Sequence, residues 1–252
     1  MPIMKLAAIY NVWDGVELLR GSVKQIYSEI DELIIVWSPF SNTGDDSYNP
    51  IDDIATALKG YNYNLIKYVP ILTDTPAKSE TTKRQLGIDL AKELQCTHFL
   101  CMDCDEYYKD FTAAKQQYIL SGCLGSVCMV RTYIRSPKYM CNAPDGYFVP
   151  FIHALFDSTV TGVWNYPFYV DPTRRINQVN VAKLNVEMHH FSYVRKDIYR
   201  KCFNSTAANN IKNGTIVDDY HFLNSDELAA GYYVKDWDRK IVVVDNYFGI
   251  NI

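Results

Sequence analysis

The sequence lacks the cysteine patterns on which metal centres and disulfide frameworks depend. Its seven cysteines are an odd number, and their single CxxC pair, Cys101 and Cys104, lacks the second pair that a zinc site of this type needs. Neither a zinc site nor a set of disulfides is therefore indicated, and this cysteine usage favours a reducing compartment.

Long apolar runs are also missing. No stretch approaches the roughly 20 residues that a bilayer-spanning helix needs. The apolar start at residues 1–10 is too short for a signal sequence with its cleavage site. We therefore expect a soluble cytoplasmic protein without a membrane span.

The sequence has fewer basic residues than acidic residues. Lys and Arg number 25 against 29 Asp and Glu, which gives a formal net charge of -4 and disfavours duplex nucleic acid as a partner. The 252 residues are 48% hydrophobic and 21% charged, as expected of an ordered globular protein with a full core. A chain of this length suits one domain, so we expect a single domain over residues 1–252. The sequence has no internal repeat.

The apolar pattern alternates between strand-like and helix-like segments. In the first half, it predicts strands at 4–10, 32–37, 64–69 and 97–102, and helices at 16–30, 51–59 and 79–94. In the second half, it predicts strands at 125–134, 147–156, 184–193 and 240–244, and helices at 111–121, 196–204 and 217–230. Such an order is typical of an α/β protein whose first half forms a largely parallel sheet.

An acidic cluster, Asp103-Cys104-Asp105-Glu106, follows the predicted strand 97–102 directly. Ligands of open α/β sheets bind outside the carboxyl ends of the strands, so this cluster stands where chemistry is expected. Carboxylates so placed suit Mg²⁺ or Mn²⁺, with phosphate oxygens completing the coordination. A solvated acidic turn is the alternative, and either interpretation predicts that Asp105 is exposed.

Three segments together resemble a known family. They are Arg84-Gln85-Leu86-Gly87, Asp103-Cys104-Asp105-Glu106-Tyr107 and His190-Phe191-Ser192-Tyr193-Val194-Arg195. They are similar to the Arg-Asn/Gln-x-Gly, Asp-x-Asp-Glu-Phe/Tyr and His-x-x-Tyr/Trp-Val-Arg segments of family-two-type glycosyltransferases with the GT-A fold. The resemblance implies a Rossmann-type central mixed sheet flanked by helices. A nucleotide-sugar-binding half would span 1–108, and an acceptor-side α+β half 109–252.

The resemblance also implies roles for individual residues. Asp103 and Asp105 would hold the metal diphosphate of a nucleoside-diphosphate sugar, and Arg84 would contact the nucleotide or phosphate part of that donor. His190 would be a third metal ligand or a diphosphate contact. His189 is its neighbour on a predicted strand, where adjacent side chains point to opposite faces, so only one of the two histidines is expected at the metal. A hydrogen-bonded core histidine is the alternative.

The loop after the second strand differs from the family's Asp-x-x-Ser-x-Asp pattern. The candidate nucleoside contacts are therefore Asn11 after the first strand, and Ser41 or Asp45 after the second. Arg195 is a candidate to neutralise the leaving diphosphate. A solvated basic helix face is the favoured alternative for Arg195, Lys196, Arg200 and Lys201, and a solvated face is equally compatible with Lys83 and Arg84.

An inverting transferase needs a carboxylate base near the acceptor hydroxyl. Asp145, Asp157, Glu187, Asp218 and Asp219 are the candidates. We name Asp218 and Asp219, although adjacent carboxylates opening a helix are equally typical of an N-terminal cap.

The function predicted is a metal-dependent transfer of a sugar from a nucleoside-diphosphate sugar to a glycan or another hydroxyl-bearing acceptor. One alternative is a nucleotidyltransferase acting on a sugar phosphate, although residues 11–15 lack the Gly-rich basic loop expected for a triphosphate. A non-catalytic carbohydrate-binding protein is the other. The sequence leaves the oligomeric state open.

Overall fold

The computed structural model describes residues 4–44, 48–71, 74–204 and 215–252. Its strands are β1 (Leu6–Val12), β2 (Glu32–Trp37), β3 (Asn64–Lys67), β4 (His98–Asp103), β5 (Glu106–Tyr108), β6 (Gly125–Ile134), β7 (Tyr139–Cys141), β8 (Phe148–Ala154), β9 (Val181–Tyr193), β10 (Tyr233–Val234) and β11 (Arg239–Val243). Its helices are α1 (Val16–Ile26), α2 (Ile51–Ala57), α3 (Pro76–Glu93), α4 (Phe111–Ser121), α5 (Ile198–Asn204), α6 (Thr215–Phe222) and α7 (Asp226–Ala229).

The described strands form one mixed sheet in the order β10-β11-β7-β6-β8-β4-β1-β2-β3, and β9 pairs with both β6 and β5. Strands β3, β2, β1 and β4 are mutually parallel, while β8 joins β4 and β6 in antiparallel fashion. β9 runs parallel to β6 and antiparallel to β5. The predicted mixed α/β sheet flanked by helices is therefore confirmed.

The parallel strands β1, β2 and β4 are buried on both faces. Leu6, Ala8 and Tyr10 of β1 point into a core shared with α1, and the alternate residues Ala7 and Ile9 point into a core shared with α3. Continuous burial of a strand is what parallel sheets require, because crossover helices cover both of their faces. Among the described residues, the carboxyl ends of these strands are where the cleft described below opens.

The C-terminal part has its own apolar cluster. Side chains of β6, β7 and β11 pack there against α5 and α6, with Ile198, Tyr220 and Ile241 among its buried members. Within the described residues, no helix combines the length and the apolar character that crossing a membrane requires.

Two sequence expectations are corrected here. The helix predicted over 217–230 is two helices: α6 ends at Phe222, and α7 begins after Ser225, which caps it by accepting from the Leu228 amide (3.3 Å). The short strand β5 was not predicted, since three residues carry no periodic signal. It matters for the site, because it pairs Glu106 with His190 and Tyr107 with His189.

Candidate functional site

A cleft lies where β1 and β4 end. These strands are parallel neighbours, and their register places Asn11 opposite Asp103 at the carboxyl edge of the sheet. The residues that line the cleft come from both halves of the chain; they are Asn11, Trp13, Asp14, Asn42, Glu80, Lys83, Asp103, Cys104, Asp105, Arg195, Lys201 and Asn204. This is the edge at which open α/β sheets bind ligands.

Helix α3 brings Arg84 to this edge. The helix packs closely on β1 at Gly87, where an added Cβ would lie 2.2 Å from Ile9 Cγ2. One turn earlier, Arg84 is only 1% exposed, and its Nη2 donates to Glu80 Oε1 (2.5 Å) and lies 3.4 Å from Asp103 Oδ1. A solvated face is therefore the wrong interpretation for Arg84, which is an ion-paired residue behind Asp103.

Arg174 is the residue that sequence reasoning missed. It ends a 3₁₀ turn at Pro172–Arg174, and its buried Nη2 donates to Asp103 Oδ2 (2.5 Å) and to Glu106 Oε1 (2.6 Å). Burial raises the pKa of Asp103, but the opposing charges of Arg174 and Arg84 outweigh it and hold that pKa below its usual range. No periodic pattern marks an arginine in an irregular loop, so only the folded chain identifies it.

Asp105 is not exposed at a strand end, contrary to expectation. The chain turns inward between β4 and β5, where the Asp105 carbonyl accepts from the Phe191 amide (2.8 Å), and the residue is 1% exposed. Its Oδ2 accepts a hydrogen bond from Arg195 Nη2 and lies 3.7 Å from Lys201 Nζ. Burial raises the pKa of Asp105, but the cations Arg195 and Lys201 prevail and hold it well below the usual value.

Arg195 reaches Asp105 across the turn that precedes α1. An added Cβ on Gly15 would lie 1.6 Å from Arg195 Nη1, and Gly15 has a left-handed φ of 77°. The backbone conformation favours glycine at this position, and any side chain there would displace the Arg195 guanidinium. Arg195 is 4% exposed, so its favoured interpretation as part of a solvated basic face is wrong.

The side chains of His189 and His190 point to opposite faces of the sheet, because the two residues are adjacent on β9. His190 Nε2 lies 3.6 Å from Asp105 Oδ1, and although burial lowers the pKa of His190, the Asp105 charge raises it overall. His189 Nδ1 instead forms a 2.9 Å hydrogen bond with the Tyr133 hydroxyl, and its ring packs against Phe248. Burial lowers the pKa of His189 to about 4. Only His190 lies beside the acidic motif.

Lys83 is the least expected side chain in the cleft. It is 3% exposed, yet no hydrogen bond or ion pair joins its Nζ to any residue that the structure describes. Burial lowers its pKa to about 8, against the opposing effect of Glu80. Lysine is almost never buried unless paired, so the solvated-face interpretation is wrong and a ligand contact is indicated.

The remaining predicted residues are placed as follows. Asn11 lines the cleft, and both polar atoms of its side chain are buried without a partner among the described residues. Ser41 Oγ pairs with Thr43 Oγ1 (2.7 Å) and does not line the cleft; its neighbour Asn42 does. Asp45 lies outside the described residues.

The predicted base residues stand apart from the cleft. Asp218 and Asp219 lie on α6 and are not among the residues that line it. Asp219 Oδ1 accepts from the Tyr232 hydroxyl (2.5 Å). The structure therefore does not bring these two carboxylates to the acidic motif.

Buried polar atoms without partners accumulate around the cleft. Among the described residues they include Asn11 Nδ2 and Oδ1, Trp13 Nε1, Asp14 Oδ2, Asn42 Oδ1, Arg84 Nε and Nη1, Asp105 Oδ1, Arg174 Nη1 and Arg195 Nη1. Folded proteins leave few such atoms, and a group of them in one place indicates a ligand that satisfies them.

The donor set suits a divalent cation only in part. Within the described segments, no three His, Cys, Asp or Glu side chains are arranged to hold one metal ion. Asp105 Oδ1, however, has no hydrogen-bond partner among the described residues and lies 3.6 Å from His190 Nε2, so these two atoms are the candidate ligands. Mg²⁺ commonly takes one or two carboxylates and completes its shell with substrate phosphates and water. The residues present therefore fit a cation that is shared with a bound phosphate.

No protein-family model and no curated protein matches the chain. Solved structures show distant similarity. TarS residues 1–349 of S. aureus in complex with UDP is 12% identical with a TM-score of 0.43, over 92% of this chain and 75% of that one. A 4-diphosphocytidyl-2C-methyl-D-erythritol synthase is 15% identical with a TM-score of 0.38, over 62% of this chain and 76% of that one.

A mannose-1-phosphate geranyltransferase from Thermus thermophilus is 13% identical with a TM-score of 0.31, over 61% of this chain and 51% of that one. Similarity at these identities and TM-scores establishes no shared function, so the functional argument depends on the cleft itself.

Proposed function

We propose that the protein is a glycosyltransferase that takes a nucleoside-diphosphate sugar as donor and uses a divalent cation bound with it. The observation that supports this proposal most directly is the cleft at the ends of β1 and β4. There Lys83 lines the same space as Asp105 Oδ1 and the Asn11 amide, two groups that have no hydrogen-bond partner among the described residues. The three-segment resemblance to family-two-type glycosyltransferases supports the same conclusion.

Charge balance supports an anionic ligand accompanied by a cation. The carboxylates at the site, Asp14, Glu80, Asp103, Asp105 and Glu106, are about balanced by Lys83, Arg84, Arg174, Arg195 and Lys201. A diphosphate entering this nearly neutral site would add uncompensated negative charge. A divalent cation that arrives with it removes that excess.

The donor's placement follows from the unpaired groups. We assign the nucleoside side to Asn11, with Asn42 rather than Ser41 from the loop after β2. Lys83, Lys201 and Arg195 would contact the diphosphate. Asp103 would act mainly by fixing Arg84 and Arg174, since its carboxylate already accepts from both guanidinium groups.

Transfer breaks the bond between the anomeric carbon and the diphosphate oxygen, and the electron pair leaves on the diphosphate. Fixed cations directed at that oxygen stabilise the charge as it develops. Asp105 Oδ1 and His190 Nε2 would hold the metal ion, which supplies Lewis-acid stabilisation of the leaving group when it is bound. The acceptor oxygen attacks the anomeric carbon, and the proton of its hydroxyl passes to solvent or to the departing diphosphate.

We further propose that residues 1–108 form the donor half and residues 109–252 the acceptor half of one domain. The cleft supports this division on the donor side, because Asn11, Lys83 and Asp103 come from the first half. The second half contributes His190, Arg195 and Lys201, which lie beside Asp105.

Calorimetry with UDP-, GDP- and TDP-sugars, each with Mn²⁺ or with a chelator, tests the proposal. We expect one nucleotide series to bind, with affinity that falls at least tenfold on chelation, and mass spectrometry to detect sugar transfer or slow donor hydrolysis. Binding of a nucleoside triphosphate and a sugar phosphate, but of no nucleotide sugar, would instead establish a nucleotidyltransferase. Binding of free sugars alone would establish a carbohydrate-binding protein.

A further inference from the structure

A second cleft shares Arg195 with the candidate site. It has a volume of about 660 Å³, which is within the range of small-molecule sites. It is lined by the turn between β6 and β7, by the segment Val194–Lys196, by the end of α6 and by residues near 246–252. Its position beside Arg195 places it next to the diphosphate assigned to the first cleft.

The second cleft has an excess of positive charge. Arg135, Lys138 and Lys196 all line it. Lys138 is paired with Asp226. No ion pair joins the Arg135 guanidinium or Lys196 Nζ to a carboxylate of the described residues, although Glu17 accepts from the Lys196 backbone amide (3.1 Å). Arg135 and Lys196 are therefore the cations that remain for a ligand.

The structure holds Arg135 in an unusual conformation. Its φ of 64° lies in the left-handed region, and its amide donates to the Tyr193 carbonyl (2.9 Å). Its guanidinium carbon lies 4.7 Å from the centre of the Tyr220 ring, and the Tyr220 hydroxyl donates to the Arg195 carbonyl (2.7 Å). Left-handed arginine is uncommon, and such residues cluster at ligand sites. The contact with the Tyr220 ring does not use the N–H groups of Arg135, which can donate to an anion in bidentate fashion.

We infer that this second cleft binds a negatively charged group of the acceptor, a phosphate or a carboxylate, through Arg135 and Lys196. The inference rests on the proposed function. If the donor diphosphate occupies the first cleft, the adjoining second cleft is where the acceptor binds. A protein of net charge -4 repels an anionic acceptor elsewhere, so a local basic cleft provides both attraction and orientation.

Three sugars that differ mainly in charge test the inference: glucose 6-phosphate, glucuronate and glucose. Each is titrated by calorimetry into the wild-type protein in the presence of saturating donor nucleotide. We expect one or both charged sugars to bind at least tenfold more tightly than glucose. Binding of glucose 6-phosphate alone identifies the anionic group as a phosphate, and binding of glucuronate alone identifies it as a carboxylate. Binding of both shows that the cleft accepts either group.

The decisive variant is the double substitution Arg135→Asn and Lys196→Gln, because asparagine tolerates the left-handed backbone while the charge is removed. We expect it to lose at least tenfold in affinity for the charged sugar and to melt within a few degrees of wild type. Lys240→Gln, which removes an exposed charge from β11, is the matched control and leaves affinity unchanged.

Equal binding of all three sugars, or charged-sugar binding that survives the double substitution, would overturn the inference. Loss of that binding in Lys83→Met alone would also overturn it, by placing the anion in the first cleft. Nucleotide affinity is measured in parallel. If wild-type protein binds no nucleotide, the proposed function fails; charge-selective binding that depends on Arg135 and Lys196 then still demonstrates the anion site.

Discussion

Asn11 lies directly opposite Asp103 in the parallel register of β1 and β4, at the last positions where the two strands are paired. The pairing puts an amide without a hydrogen-bond partner among the described residues beside a carboxylate held by two arginines. Both residues line the cleft assigned to the donor, so variants of its lining residues provide the sharpest tests.

Asp105→Asn is expected to abolish metal-dependent donor hydrolysis and transfer, and also to destabilise the fold. The substitution removes the charge that compensates the buried Arg195, and breaking a buried pair on one side costs about 3 kcal/mol. Donor turnover and chemical denaturation measure the two effects. The exposed Asp157→Asn serves as the control, and wild-type turnover in Asp105→Asn would reject the site.

Lys83→Met is expected to weaken nucleoside-diphosphate binding about tenfold while leaving the melting temperature unchanged or raised. Lys83 is 3% exposed and burial lowers its pKa, so a flexible apolar side chain of similar length relieves a desolvation cost. Calorimetry and thermal unfolding are the readouts. Lys78→Met on the exposed side of the same helix should alter neither property, and a destabilised Lys83→Met with normal affinity would make Lys83 a structural residue.

The lowered pKa of Lys83 predicts a pH dependence of both binding and stability. Its pKa of about 8 means that the free protein loses this positive charge as pH rises through 8, so diphosphate affinity should decline there. Because the unfolded lysine stays protonated to about 10.5, the folded state gains stability relative to Lys83→Met between pH 8 and 10.5. Affinity and denaturation profiles of the two proteins that run parallel over this range would contradict the assignment.

Gly15→Ala is expected to destabilise the protein and to weaken diphosphate binding, because its Cβ would displace the Arg195 guanidinium. The left-handed backbone alone costs roughly 1 to 2 kcal/mol. Gly231→Ala provides the matched control, since Gly231 has a φ of 79° and nothing within 4 Å of its added Cβ. A larger loss of stability in Gly15→Ala than in Gly231→Ala measures the contact with Arg195. Equal losses of stability in the two variants would mean that Arg195 is not held by this turn.

His190→Ala and His189→Ala should separate metal binding from packing. We expect His190→Ala to weaken Mn²⁺ affinity in the nucleotide complex about 10- to 100-fold with little unfolding, because His190 faces Asp105 Oδ1. His189→Ala should lower the melting temperature and keep metal affinity, because its ring packs with Tyr133 and Phe248. Titration of Mn²⁺ and thermal unfolding decide the matter; the opposite pattern would exchange the two roles.

The sequence by itself determined the order of helices and strands from β1 to β4, and the position of Asp103 at the end of β4. Those features depend on local periodicity and on the apolar runs that parallel strands covered on both faces require. Both can be read from one continuous stretch of sequence. The resemblance in residues 84–87, 103–107 and 190–195 marked the segments that the fold brings to one edge.

Only the tertiary structure decided how the charges in those segments are used. It buried Asp105 against Arg195, joined Asp103 to Arg174 from an irregular loop, and left Lys83 without a partner among the described residues. It also kept Asp218 and Asp219 out of the cleft. Ion pairing and burial depend on which distant segments meet, and contacts between residues 70 to 90 positions apart leave no periodic trace in a single sequence.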